Sequence, residues 1–276
     1  MVYGLRMTAK LSALRDRLAA LPSAVVCFSG GVDSAFVLAA AHEVLGERVV
    51  ALTAISASVS ESERTDARSV AGTIGVEHLC LDSREMDDPR YVANPVNRCY
   101  YCKSELYRLA WTVARDRGFT HVLNGTNCDD LGDVRPGLDA AREAGVVSPL
   151  VDTGFTKNDV REGARALGLD VWDKPAAACL ASRLPFGTAV TSDRLTRVAT
   201  SERALRSMGL RQVRVRYHDE LARIEVGAGE MERAFELRDR IVESVRLAGF
   251  TYVVLDLQGY RTGSHNEAVR LPIFTG

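Results

Sequence analysis

Three observations predict an α/β protein with a doubly wound, mainly parallel sheet and a smaller C-terminal α+β domain. Apolar strand-like runs alternate with helix-like stretches over the first part of the chain, the pattern of a parallel sheet covered on both faces. A Gly-Gly turn joins the first such run to its helix, and beyond Thr191 the order changes to α-β-β-α-β. The domains are placed at residues 1–188 and 189–276, and 276 residues with 46% hydrophobic side chains suffice for two cores. Lysine and arginine number 35 against 36 aspartates and glutamates, with no strongly basic stretch. That balance argues against a nucleic-acid partner, because phosphate backbones are held by clustered cations. No apolar run has the length of a membrane span and no secretory signal opens the chain, so a cytoplasmic protein without membrane contact is expected. Six cysteines, two of them in a C-x-x-C, suggest metal or redox chemistry rather than a disulfide framework.

Taken in order, Leu11, Leu14, Leu18 and Leu21 recur at helical spacing and predict a helix from Thr8 to Leu21, stopped by Pro22. Ala24 to Phe28 is the first strand, and the helix after it runs through Ala41. Arg48 to Ala54 is the second strand; Ser60-x-x-Glu63 is a capping box opening a helix that ends at Gly75; Glu77 to Leu81 is the third strand. A segment rich in Asp, Pro and Asn, Asp82 to Arg98, leads to a helix that begins at the cysteine pair, and Val122-Leu123 precedes a polar turn, Asn124 to Asn127. Thr156-x-x-Asp159 caps a helix to about Leu167. In the C-terminal domain, helices are expected at about Ser192–Met208 and Glu230–Leu247, with strands at Gln212–Tyr217, Leu221–Val226 and Thr251–Leu257.

Ser29-Gly30-Gly31-Val32-Asp33-Ser34, between the first strand and its helix, has the makings of a phosphate seat. The two glycines permit positive φ and close approach, while the helix end offers unpaired N–H groups. Ser29 and Ser34 can donate to phosphate oxygens, and Asp33 can hold a magnesium ion bridging them. A Walker loop is excluded, since no lysine occurs between Lys10 and Lys103. In an open parallel sheet ligands gather beyond the carboxyl ends of the strands, which places Thr53 to Ser56 and the turn with Gly125 and Thr126 on the same rim. Asp129, Asp130 and Asp133 read either as a solvated acidic loop or as metal or substrate ligands.

Cys99 and Cys102 open a helix, where the dipole favours thiolates and the spacing clamps one metal or cluster edge. Cys179 is the only other cysteine in a polar, site-like loop, a loop that also carries Arg183; Cys27, Cys80 and Cys128 read as structural. Three thiolates with one open position suit an iron–sulfur cluster, whereas a zinc site needs a histidine, for which His78 and His121 are candidates, and a structural C-x-x-C remains the alternative. In Arg214-Val215-Arg216 the arginines share one strand face, as do Arg223 and Glu225 on the partner strand. That face is either a phosphate fork or an exposed charged surface.

SGGVDS resembles the pyrophosphate loop of the PP-loop ATP pyrophosphatase superfamily, whose members cleave ATP between its α and β phosphates to form an adenylate. With NPVNRCYYCKSELY, NGTNCDD, PAAACLASRLPFG, VRVRYHDELARIEV and VVLDLQGYRTGSHNE following in that order, nearly the whole chain resembles the LarE family of ATP-dependent sulfur transferases. The resemblance implies adenylation of the carboxylates of pyridinium-3,5-biscarboxylic acid mononucleotide and their conversion to thiocarboxylates, alongside other nickel-pincer cofactor biosynthesis proteins. It implies ATP and Mg²⁺ at Ser29, Gly30, Gly31, Asp33 and Ser34, adenine and ribose near Thr53, and nucleotide near Gly125 and Thr126. Arg183 is implied beside the reacting groups, Arg214 and Arg216 at the substrate phosphate, Glu202 and Glu225 at a bound metal, and the assembly is implied to be a homohexamer. One branch of the family gives up the sulfur of the cysteine matching Cys179 and leaves dehydroalanine; another holds a 4Fe-4S cluster on three cysteines, and with Cys99 and Cys102 present the cluster branch is expected. The competing expectations are a PP-loop tRNA thiolase, an amide-forming PP-loop ligase that would leave the cysteines unexplained, and a nucleotide sensor that releases no pyrophosphate.

Overall fold

Ala24, Val25 and Val26 are fully buried, and as strand β1 (Ala24–Cys27) they lie inside a four-stranded parallel sheet. The structure, a computed structural model, describes residues 2–132, 136–174 and 178–261. Helix α1 (Val2–Ala19) precedes β1, and the chain continues through α2 (Val32–Leu45), β2 (Val49–Ile55), α3 (Glu61–Ile74) and β3 (His78–Asp82). The one-turn α4 (Pro89–Val92), the long α5 (Arg98–Arg117) and β4 (His121–Leu123) come next, followed by α6 (Pro136–Glu143), the short α7 (Pro149–Asp152) and α8 (Lys157–Ala166). The predicted parallel α/β sheet is present, in the order β3-β2-β1-β4. After β1 the chain builds outward through β2 and β3, then returns to the other side of β1 with β4, so a topological switch point lies between β1 and β4.

Side chains leave β1 alternately on two faces. Ala24 and Val26, with Phe28 beyond them, pack with Phe36, Leu38, Ala67, Ala71 and Val160 from α2, α3 and α8; Val25 and Cys27 pack with Tyr107, Ala110 and Ala140 from α5 and α6. Each fully buried large apolar side chain contributes roughly 1.5–3 kcal/mol.

The chain forms two compact units, residues 1–91 with 96–177, and residues 92–95 with the chain from Ala178 onward. The second unit thus takes in 178–188, which the sequence reading placed in the first domain. It contains α9 (Ser192–Ser207), β5 (Val213–His218), β6 (Leu221–Val226), α10 (Met231–Glu236), α11 (Arg238–Leu247) and β7 (Tyr252–Leu255). Strands β5 and β6 are antiparallel, β6 and β7 parallel. Leu195, Val198, Leu205, Val213, Val215, Ile241 and Val245 form its buried interior. The single helix expected over 230–247 is interrupted at Leu237, where neither glycine nor proline stands; Ala234, Leu237, Ile241 and Val245 remain buried across the break. Asn94, wholly buried at φ 53°, donates from its amide to the carbonyls of Pro185 at 2.8 Å and Thr188 at 2.9 Å, and so fastens the turn after Arg183.

Candidate active site

The end of β1 and the start of α2 make the cradle. Of its two glycines only Gly30 has positive φ, +71°, and a Cβ there would stand 2.8 Å from the Ala67 Cα of α3. Gly31 is extended at the N-cap of α2 and does not use the left-handed freedom that glycine permits. The hydroxyls of Ser29 and Ser34 are 3.1 Å apart, and Ser34 also donates to the Gly31 carbonyl at 3.1 Å. Both hydroxyls therefore converge on the helix end whose N–H groups face an incoming anion.

From the other side of the switch point, Gly125 packs against α2 so closely that a Cβ would sit 2.8 Å from the Ser34 nitrogen. Its turn is held internally: Thr126 N–H donates to Asn124 Oδ1 at 3.1 Å, and Asn127 Nδ2 donates to Asp33 Oδ1 at 3.1 Å. Asp130 accepts from Asn127 N–H at 3.0 Å and Asp129 from Lys157 N–H at 2.9 Å, so both carboxylates brace backbone in the cradle wall. Asp133 lies outside the described residues. The Thr53 hydroxyl, buried, donates to the Phe28 carbonyl at 2.7 Å and meets His78 Nε2 at 2.7 Å. That leaves the half-buried Ala54, Ile55 and Ser56 to form this part of the rim. Lys157, which the sequence reading passed over, forms an ion pair with Asp33.

Cys99 and Cys102 stand three residues apart in the first turns of α5, on neighbouring positions of one helix face; Cys99 is exposed and Cys102 half-buried. The helix follows β3, so its N-terminus belongs to the carboxyl-end rim of the sheet. All six cysteines are free of disulfides. Burial pushes the Cys27 thiol up to about 12, with nearby Lys103 offsetting only part of this, which keeps it a neutral core residue. His121 begins β4 level with Ala24, at the end of the sheet away from the cradle, whereas the ring of His78, at the start of β3, reaches the Thr53 hydroxyl and packs edge-on against Phe28.

In the second unit, Cys179 is half-buried and leads into one turn of 3-10 helix, Leu180–Arg183. Arg183 is 3% exposed and forms a fork on Glu202, at 2.8 and 3.1 Å, while its third nitrogen donates to the carbonyls of Ala178 and Cys179. Arg183 thus fastens the backbone that carries Cys179. Burial pushes the Glu202 carboxyl up, but Arg183 and Arg206 outweigh it and hold the group below the ordinary range. A second fork joins Arg216 to Glu225 at 3.0 and 2.9 Å, and Arg216 also donates to the Ser182 carbonyl at 3.0 Å. Glu202 and Glu225 are 0% and 1% exposed, so this is a buried charge centre rather than a solvated sheet face. Arg214 stacks on the Tyr260 ring at 5.2 Å, and burial together with Arg183 pushes its guanidinium below the usual value. An additional anion would relieve that arginine. Among the described residues no group of three or more His, Cys, Asp or Glu side chains is placed to hold a metal ion.

The Ser29-Gly30-Gly31-Val32-Asp33-Ser34 turn, seated between β1 and α2 at the switch point of a parallel sheet, marks a nucleotide-binding α/β protein of the PP-loop class. The family profile described as Asparagine synthase matches residues 11–137. The pyridinium-3,5-bisthiocarboxylic acid mononucleotide synthase of Lactiplantibacillus plantarum is 38% identical over 94% of this chain and 93% of its own length. An uncharacterized protein of Synechocystis sp. is 42% identical over 95% of this chain and 99% of its own. A tRNA-specific 2-thiouridylase of Rickettsia typhi is 30% identical, but over only 55% of this chain and 52% of its own. The chain belongs to the LarE-type family of pyridinium-3,5-bisthiocarboxylic acid mononucleotide synthases.

Proposed function

We propose that this protein is an ATP-dependent sulfur transferase that converts the carboxylates of pyridinium-3,5-biscarboxylic acid mononucleotide to thiocarboxylates in nickel-pincer nucleotide biosynthesis. The observation that carries the reading is the relative of that name, matched over 94% of this chain and so across both units. A carboxylate is a poor electrophile, so its oxygen first attacks the α-phosphorus of ATP; the bond to the bridging oxygen breaks and its electron pair leaves with pyrophosphate. Sulfur then attacks the acyl carbon and AMP departs with the carbon–oxygen electron pair. In this reading Ser29, Gly30, Gly31 and Ser34 seat the phosphates, and the rim at Ala54 to Ser56, next to the buried Thr53, and at Gly125 and Thr126 borders the nucleoside. Asp33 suits magnesium, which needs only one or two carboxylates when phosphates and water complete its shell. Arg214 and Arg216 receive the substrate phosphate, with Glu225 as the charge partner of Arg216, and Arg183, forked on Glu202, positions Cys179.

The thiols of Cys99, Cys102 and Cys179 match the donor set of a 4Fe-4S cluster with one open iron, which when bound supplies a replaceable sulfide. We read the first domain as the nucleotide module and residues 189–276 as the substrate and oligomerisation module of a cytoplasmic homohexamer. The test is anaerobic incubation with Mg·ATP and the biscarboxylate, following pyrophosphate, the thiocarboxylate product and the intact protein mass. Wild type is expected to release pyrophosphate and form product at unchanged mass, and Cys179→Ala to release pyrophosphate without product. Loss of sulfur from Cys179 during turnover would replace the cluster with the sacrificial route; product formation by Cys179→Ala would sink the role of that thiol altogether.

A further inference from the structure

At the rim beyond β2 and β3 a carboxylate is buried without a counter-ion. Glu85 opens the 3-10 turn Glu85–Asp87 that follows β3; it is 5% exposed, and among the described residues no cationic side chain pairs with it. Acids so deeply buried are ordinarily paired, because an uncompensated charge costs far more out of water than a neutral group does. One oxygen is satisfied. The Ser56 hydroxyl donates to Oε1 at 2.6 Å and itself accepts from the Ser58 N–H at 3.1 Å, so its proton is committed to Glu85. Ser56 is fixed in turn by the Arg64 guanidinium, which donates to its carbonyl at 3.0 Å, and the Ser83 N–H ties the end of β3 to the Ile55 carbonyl at 2.7 Å. Oε2 is left as a fixed acceptor with no donor among the described residues.

The place of this acceptor on the sheet indicates what would supply the donor. Strands β2 and β3 are the first and second neighbours of β1 on one side. A nucleotide with its phosphates on the β1–α2 turn, laid across the strand ends in that direction, reaches Glu85 after two strand spacings, roughly 10 Å, which brings its base rather than its ribose there. Adenine carries an amino group at its 6-position and donates; guanine carries a carbonyl oxygen there and only accepts. A carboxylate bonds the first and repels the second.

We propose that Glu85 reads the base: its Oε2 accepts from the 6-amino group of adenine and so selects ATP over GTP. The inference rests on the ATP-dependent reading above and names the residue that makes the nucleotide an adenine one. It is tested by calorimetry with the α,β-methylene analogues of ATP, of GTP and of purine-riboside triphosphate, which has hydrogen in place of the amino group, on wild type and Glu85→Gln. Wild type is expected to bind the adenine analogue about 100-fold or more tighter than the guanine one, and about tenfold tighter than the amino-free purine, which leaves the buried acceptor unpaired. That second comparison needs no variant, so it holds whether or not Glu85→Gln folds. In Glu85→Gln the amide keeps the Ser56 bond on its oxygen and turns a donor outward, so the preference for adenine over guanine is expected to narrow to about tenfold or less. A residue that only braces the rim would weaken all three analogues alike and leave their ratios unchanged. An amino-free purine bound within twofold of the adenine analogue by wild type, or an unaltered adenine-to-guanine ratio in the variant, would overturn the proposal. A wild type that binds none of the three would remove the ATP-dependent reading as well, which separates that failure from the loss of Glu85's role alone.

Discussion

Gly125 shows how little freedom a single position has at the cradle. A Cβ there meets backbone atoms of Asp33 and Ser34 at 2.8–2.9 Å, and backbone at a helix start cannot step aside as a flexible side chain would. Gly125→Ala is expected to weaken binding of a non-hydrolysable ATP analogue by about tenfold or more in calorimetry, since a shift of the helix end displaces its N–H groups. Gly132→Ala, where a Cβ would meet nothing within 4 Å, is the control and should bind as wild type. The residue types of the turn could be read from the sequence because glycine, serine and aspartate there are dictated by local backbone and ligand chemistry. Lys157 could not, because its partner Asp33 is 124 positions away and only the fold brings them together. The same holds for Arg183 and Glu202: each was visible as a residue, but the fork between them is a tertiary fact.

Among the elements, the two capping boxes were legible because the signal is local: Ser60 with Glu63 and Thr156 with Asp159 satisfy helix-end donors within four residues. Removing either cap should cost about 1 kcal/mol in urea denaturation. Their effects on the site are expected to differ. Thr156→Ala loosens the turn that carries Lys157, the ion-pair partner of Asp33 in the cradle, and should also weaken pyrophosphate binding, whereas Ser60→Ala should lower stability alone; equal pyrophosphate affinities in the two variants would contradict the linkage. The short α7 was not anticipated, because a four-residue turn offers too few positions for a 3.6-residue period to register. The interruption at Leu237 was hidden for the opposite reason: its apolar spacing continues unbroken across both helices. Strand β4 could be recognised only from its apolar pair, Val122 and Leu123, yet its place beside β1 creates the switch point.

At the scale of the molecule, the buried forks make stability depend on acid. Glu202 has a folded-state affinity for protons below that of an unfolded glutamate, so its contribution is present in full above the ordinary glutamate range near pH 4–5 and is lost as pH falls through the lower folded value. Denaturation of the wild type should therefore become easier below about pH 4.5. Glu202→Gln should already lose about 3–5 kcal/mol at pH 7, as expected when one partner of a buried pair is removed, and show a shallower acid dependence. An unaltered acid slope in the variant would assign acid sensitivity elsewhere. The fold class and the order of strands and helices were legible because alternation and periodicity repeat along the chain; the charge centre of the second unit was not, because it joins α9, β5, β6 and the 178–183 segment. Asn94 carries one more consequence. The stretch 92–95 is claimed by the second unit although both flanks belong to the first, so the polypeptide passes from one unit to the other three times. A fragment cut at any single point downstream would arrive without the plug that closes its own 184–188 turn, and the two halves of this protein cannot be shuffled as independent cassettes.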